Sequence, residues 1–228
     1  MAIQAGETTF YQAKRGIVQD GLVLNLDAAV DASYSGGTTW RDLAGSNNGT
    51  LTNGPTFSKD NGGVLEFDGT NQNVNCGTIS SLHGSSGVSI CAWVVRHTTG
   101  NYPKIVSQTH GGTFDTLFSN LNTIHFYTPA GLVNAYYGGF LLNKWHFTCC
   151  TYQAQDAIRV YADGQLIQET TTASTNTVTS NANITIANHS SMPRPLDGAV
   201  SAVQLYNRAL TATEVLQNYN ATRHRFGV

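Results

Sequence analysis

Charge is what this sequence has least of. Lys, Arg, Asp and Glu together make up 11% of its 228 residues, against about 25% in an ordinary globular domain. Long helices laced by ion pairs need those residues, so a mainly helical architecture is excluded. Cysteine is scarce too, with four residues at 76, 91, 149 and 150. None forms a C-x-x-C pair for zinc or dithiol chemistry. Cys149 and Cys150 are adjacent and point to opposite faces of a strand, so they are poorly placed to bond each other. All four read as small apolar core thiols kept reduced. No apolar run approaches the ~20 residues of a membrane span, and residues 1–20 contain no signal-peptide core. The expectation is a protein not exported by the usual route and without a membrane partner. The Asn-x-Ser/Thr sequons at Asn48, Asn183, Asn188 and Asn220 are then chance matches. With 12 basic against 14 acidic residues and no basic stripe, nucleic-acid binding by counterion release is excluded as well.

Small polar residues fill the gap. Glycine alone accounts for 23 positions, and Thr, Asn and Ser are abundant. Gly and Asn supply turns and Thr favours strands, which together predict many short strands joined tightly, an all-β protein. Residues 1–20 lack a sustained period and read as an extended N-terminal arm. From Gly21 to Val228 the chain reads as one domain. Leu22-Val23-Leu24-Asn25-Leu26 opens it, and Val64 to Asp68 places Leu65 and Phe67 on one face. In Val88 to Val95, both alternating sets are apolar, so this strand belongs in the middle of a layered structure. Trp145 to Tyr152 behaves in the same way. Ala157 to Ala162 and Gln165 to Thr170 flank Asp163-Gly164, a hairpin with a type I′ turn. Ile184 to Ile186 and Ala199 to Tyr206 complete the strand set. Thr211 with Glu214 three residues on is a capping box. It predicts a short helix near 211–220 that docks through Val215, Leu216 and Tyr219.

Several motifs fall in a telling order. Trp40-Arg41-Asp42-Leu43 precedes Asn47-Asn48-Gly49-Thr50-Leu51 and Phe67-Asp68-Gly69. Ser89 to Val94, Trp145-His146-Phe147 and Val160-Tyr161-Ala162-Asp163-Gly164 follow. Asp197-Gly198-Ala199 and Leu205-Tyr206-Asn207-Arg208-Ala209-Leu210-Thr211 close the series. Across residues ~21–222 the series resembles the laminin G-like/concanavalin A-like family. The stretch from Asn48 to Phe57 and the ending from Gln217 to Arg223 resemble laminin G-like domains in structural proteins of tailed bacteriophages. The resemblance implies a jelly-roll sandwich of two antiparallel sheets serving as a binding or architectural module. Fold does not assign a partner.

Catalysis is tested residue by residue. Glycosidases of this architecture need two carboxylates about 5–10 Å apart, and only Glu66 and Asp68 alternate suitably along a strand. Asp68 precedes Gly69 and fits a turn in which its carboxylate accepts local backbone N–H groups. The seven histidines make no H-E-x-x-H or i,i+2 pair. His125 and His146 fall in strands and could flank one another across a sheet. No Gly-x-Ser-x-Gly elbow is present. Asp27 with Asp31, or Asp115, would be the acids for calcium, but no dense acidic loop accompanies them. The expectation is no catalytic residue, no metal and no cofactor. For sugar binding, aromatic rings beside amides are the pattern to seek. Tyr136, Tyr137 and Phe140 lie in an expected loop near Asn134, and Tyr102 lies in another.

The principal expectation is therefore a non-enzymatic virion structural protein, a capsid decoration or cement protein assembled in the host cytoplasm. Its arm, through Phe10, Tyr11, Lys14, Arg15 and Ile17, would bind the major capsid protein or another virion protein. A homo-oligomer, expected as a trimer, fits capsid symmetry. The alternative is a lectin-like carbohydrate-binding module of a spike or tail fibre that adheres to host polysaccharide.

Overall fold

Alternation of inward and outward side chains organises this molecule into two stacked sheets, described in a computed structural model for residues 16–100, 102–108, 114–118, 123–179, 182–189 and 193–228. In chain order the early strands are β1 (Leu22–Asp27), β2 (Thr39–Trp40), β3 (Gly49–Thr52), β4 (Thr56–Ser58), β5 (Val64–Asp68), β6 (Asn73–Asn75) and β7 (Gly87–Arg96). Next come β8 (Lys104–Gln108), β9 (Asp115–Phe118), β10 (Thr123–Thr128) and β11 (Gly131–Tyr136). The last are β12 (His146–Gln153), β13 (Ala157–Ala162), β14 (Gln165–Thr171), β15 (Ile184–Ile186) and β16 (Asp197–Tyr206). Helix α1 (Ala212–Thr222) ends the chain together with a 3-10 turn, Arg223–Phe226.

Sheet I runs β14-β13-β12-β7-β16-β5-β4, with β1 also paired to β16. Sheet II runs β11-β10-β9-β8-β15-β6-β3-β2. Every strand pairing is antiparallel. The all-β sandwich, its two sheets and its single C-terminal helix are as the sequence predicts.

The doubly apolar β7 explains the layering. Val88, Ile90, Ala92 and Val94 face sheet II within the main core, beside Ile124, Phe126 and Ile186. Cys91 and Trp93 face the other way into a second cluster with Phe147, Cys149, Tyr161 and Tyr206. That second face is covered by Val18, Leu210 and Val215, with Tyr219 and Phe226 half-buried against it. Phe226 stacks on Trp93 with ring centroids 3.9 Å apart, and the indole N–H donates to Thr222 Oγ1 at 2.7 Å. The outer face of sheet I is thus closed by the chain's own C-terminus.

Capping and turn chemistry follow the sequence. Thr211 Oγ1 accepts from the Glu214 backbone N–H and the Glu214 carboxylate accepts from the Thr211 N–H, the reciprocal box. Asp163 and Gly164 take φ of +50° and +79°, as a type I′ hairpin requires. Two details differ. Leu216 is exposed, and Asn218 is the second buried residue of the helix. Asn218 earns that place by accepting from the Val18 N–H and donating to the Tyr206 hydroxyl. His125 and His146 also lie in different sheets, on β10 and β12, and do not flank one another.

The segment preceding β1 is strapped to this same side. Gln217 donates to the Gly16 carbonyl, the Tyr206 hydroxyl donates to the Val18 carbonyl, and Arg208 meets Asp20. Residues 16–20 therefore belong to the folded unit. Of the expected arm contacts, Ile17 is half-buried on the domain itself. Phe10, Tyr11, Lys14 and Arg15 lie outside the described residues.

Candidate functional site

Sheet II turns its other face outward, and its composition differs sharply from the core. Cross-strand register places Thr39, Thr50, Asn75, Thr185, Ser107, Asp115, Tyr127 and Leu132 side by side across all eight strands. A second row sets Lys104 beside the Leu117 position, His125 and Asn134. A third pairs Thr123 with Tyr136. Neighbouring strands lie about 4.8 Å apart, so these side chains form one continuous layer of hydroxyls, amides, rings and a few charges, buried at its centre around Ser107, Thr185 and Lys104 and exposed toward the β11 edge.

The chain after β15 folds over the centre of this face. The Asn188 carbonyl accepts from Thr185 Oγ1 and Ser107 Oγ, and Asn188 Oδ1 accepts from the His189 and Arg194 N–H groups. The Arg194 carbonyl accepts from the Lys104 N–H. With its backbone N–H and C=O both tied, Arg194 carries its guanidinium over the Tyr102 ring, 5.2 Å from the centroid. Tyr102, at φ +50°, tilts against His125 at 5.6 Å. Lys104 is buried, pairs with the Asp115 carboxylate, and sits 5.9 Å from the Tyr127 ring centre.

Cations crowd this corner, and their proton affinities reflect it. Burial and the neighbouring Arg194 pull the Lys104 ammonium down to about 8. Burial, then Arg194 and Lys104, hold the His125 imidazole below its ordinary value. At neutral pH His125 is thus mainly neutral, a donor and acceptor at once. Toward the β11 edge the surface opens, with Tyr127 41%, Leu132 43% and Tyr136 69% exposed.

The five residues expected to bind sugar divide here. Tyr102, Asn134 and Tyr136 lie together on this outward face. Tyr136 ends strand β11 and is not in a loop. Phe140 is 1% exposed and belongs to the main core, edge-on to Phe118 at 5.8 Å. Tyr137 packs on that core, edge-on to Phe140 at 4.9 Å. The Phe140 ring is not free to stack on a ligand, because the turn after β11 folds it back into the core, and Tyr137 is half-buried against it. Lys104, His125, Tyr127 and Arg194 were not singled out for binding from the sequence. The alternation in Thr123-Ile124-His125-Phe126-Tyr127 carries the signal for the two on β10.

The carboxylates tested for catalysis are otherwise engaged. Asp68 Oδ1 accepts the Thr70 N–H at 2.9 Å, the turn expected from Asp68-Gly69. Glu66 lies 3.7 Å from His97 on the outer side of sheet I. Both Asp27 oxygens bind Arg225, and Asp115 binds Lys104. Among the described residues no group of three or more His, Cys, Asp or Glu could hold a metal ion. No described helix is long and apolar enough to cross a membrane.

Two antiparallel sheets, one face sealed by a helix and the other presenting rings and amides, define a concanavalin A-like sandwich of the kind found in lectin-like binding domains. The chain belongs to the concanavalin A-like lectin/glucanases superfamily, whose laminin G-type model matches residues 68–216. Solved structures share the fold. One is of botulinum neurotoxin type C, whose cell entry depends on interaction with two ganglioside molecules. It has TM-score 0.69 and 14% identity, over 90% of this chain and 52% of that one. The botulinum neurotoxin serotype D binding domain gives TM-score 0.70 and 12% identity, over 89% and 52%. Trypanosoma rangeli sialidase in complex with sialic acid gives 0.66 and 17%, over 90% and 33%. At such identities the likeness is one of fold, and this chain spans about half the length of the neurotoxin chains and a third of the sialidase. No curated protein matches it.

Proposed function

We propose that this protein is a non-enzymatic, lectin-like carbohydrate-binding module whose binding surface is the outward face of β10 and β11. One observation carries the reading. Tyr127 and Tyr136 are exposed beside Asn134 and His125, on strands whose opposite faces are locked into the core. Rings on rigid strands stack on a pyranose without much ordering cost, and the flanking amide and imidazole bond its hydroxyls. The engagement of Glu66 and Asp68 in local contacts supports binding without hydrolysis. The ganglioside and sialic-acid partners named for the neurotoxin and sialidase structures are consistent with a saccharide ligand on this fold.

An array of immobilised glycans probed with the purified protein tests the reading. A positive spot should lose about tenfold in apparent affinity with Tyr136→Ala or Tyr127→Ala, the scale of one lost ring contact. Binding to no glycan, or binding that survives both substitutions, overturns it.

A second reading places this module on a virion, as the phage-like motif series implies. It draws support from the strap of residues 16–20, which lies on the helix side, away from the proposed glycan face. A chain tethered on one side and adhesive on the other suits a spike or fibre. Because Val18 is buried and bonded to Asn218, a deletion should stop at residue 15. Removing residues 1–15 should abolish incorporation into particles while the sandwich melts at the wild-type temperature; normal incorporation sinks this reading.

A further inference from the structure

The glycan face carries more positive charge than its neighbours neutralise. Arg194 and Lys104 lie close to one another beside the mainly neutral His125, and the Asp115 carboxylate is already bound by Lys104. Arg159, Arg208 and Arg225 each meet a carboxylate, whereas among the described residues Arg194 meets none. Arg194 is nonetheless built into place. Both its backbone polar groups are bonded, and its guanidinium lies against the Tyr102 ring. A half-buried guanidinium against an aromatic ring, on a backbone held at both polar groups, is suited to receive a carboxylate in two parallel hydrogen bonds.

From this geometry we propose that the module selects glycans bearing a carboxylate, the acid group seated at Arg194 and the sugar ring extending over His125 toward Tyr127 and Tyr136. The inference rests on the lectin reading above and names its ligand class. On a chain of net charge −2, attraction of an acidic glycan is a local property of this corner and not of the whole surface. Uronic acids and sialic acids share the required group, and the two sources are separated by the choice of probe.

The test measures binding of two matched pairs by calorimetry or surface plasmon resonance. The first pair is a hyaluronan oligosaccharide and its carboxyl-reduced counterpart; the second is 3′-sialyllactose and lactose. In at least one pair the acidic member should bind about ten- to a hundredfold more tightly, a preference that weakens with added salt. Arg194→Gln should erase that preference and leave binding of the neutral member within about twofold, with an unchanged melting temperature as the control for folding. Arg194→Lys should restore part of it, since a point charge replaces a planar fork. Equal binding of acidic and neutral members, or a preference that survives Arg194→Gln, overturns the inference. Neutral sugars bound in a Tyr136-dependent way would do so while leaving the lectin reading intact. If neither these sugars nor any glycan of the array binds, both fall.

Discussion

Replacing Arg225 with Met should loosen the C-terminal cover from the sandwich, and the structure gives the size of the effect. Arg225 Nη1 donates to both oxygens of Asp27, at 3.0 and 2.9 Å. Its Nε donates to the Asn61 carbonyl and its Nη2 to Ser201 Oγ. Each side chain of the pair is 13% exposed, between a fully buried ion pair, whose breaking costs about 3–5 kcal/mol, and a surface pair worth about 0–1. Asp27 keeps one donor, the Ala29 N–H, so the loss should fall near 2–3 kcal/mol. For a chain of this length that is a melting-temperature drop of roughly 4–12 °C. Guanidinium unfolding followed by tryptophan fluorescence is the assay, because Trp93 stacks on Phe226, the residue next to Arg225. Asp27→Asn completes a double-mutant cycle, and the two changes should couple by about 1–2 kcal/mol. Additive effects, or a loss below about 0.5 kcal/mol for Arg225→Met, would refute the clamp.

Acid should weaken the same region. The Arg208 guanidinium, then the Thr211 N–H and hydroxyl, hold the Glu214 carboxyl at about 2, below its ordinary 4.5. Its contribution is therefore present above pH 4.5 and lost as pH falls toward 2. A shift of that size sets a ceiling near 3 kcal/mol, and partial exposure to solvent reduces it to about 1–2. Wild type should lose that much more stability than Glu214→Gln between pH 5 and pH 2.5, and parallel curves would contradict the assignment. The thiols make a chemical prediction. All four cysteines are buried; burial, with a smaller effect of Asp42, pushes Cys76 up to about 12, and burial also raises Cys149 and Cys150. A thiol reagent at pH 8 should count none in the native protein and four after denaturation. A fast native thiol would contradict this packing, and a count of two after denaturation would show Cys91 and Cys149, 2.7 Å apart across β7 and β12, to be oxidised.

Sheet I was legible because its central strands β7, β12 and β16 are buried on both faces and its turns carry strong local chemistry. Val88 to Val95, Asp163-Gly164 and the Thr211–Glu214 box each have one dominant local solution. The strands of sheet II that carry the candidate site were harder to read. β10 and β11 bury Ile124, Phe126, Val133 and Ala135 on one side only, and their outward residues are mostly the polar ones and rings a loop would also contain. Tyr136, Tyr137 and Phe140 look alike as a string of aromatics. Only the end of β11 and the turn after it decide that the first faces water and the last the core. Arg194 was invisible for another reason. It comes to Tyr102 and Lys104 because its N–H donates to Asn188 Oδ1 and its carbonyl accepts from the Lys104 N–H, contacts that no local spacing encodes.

Hydrogen–deuterium exchange with and without an array-positive glycan tests the central claim most directly, since it asks which face is covered. Added protection should concentrate in peptides spanning β10 and β11, residues 123–136, and in the segment around Arg194. Tyr136→Ala should remove that protection. Protection centred on β3 and β6, on the helix side, or nowhere would contradict the account.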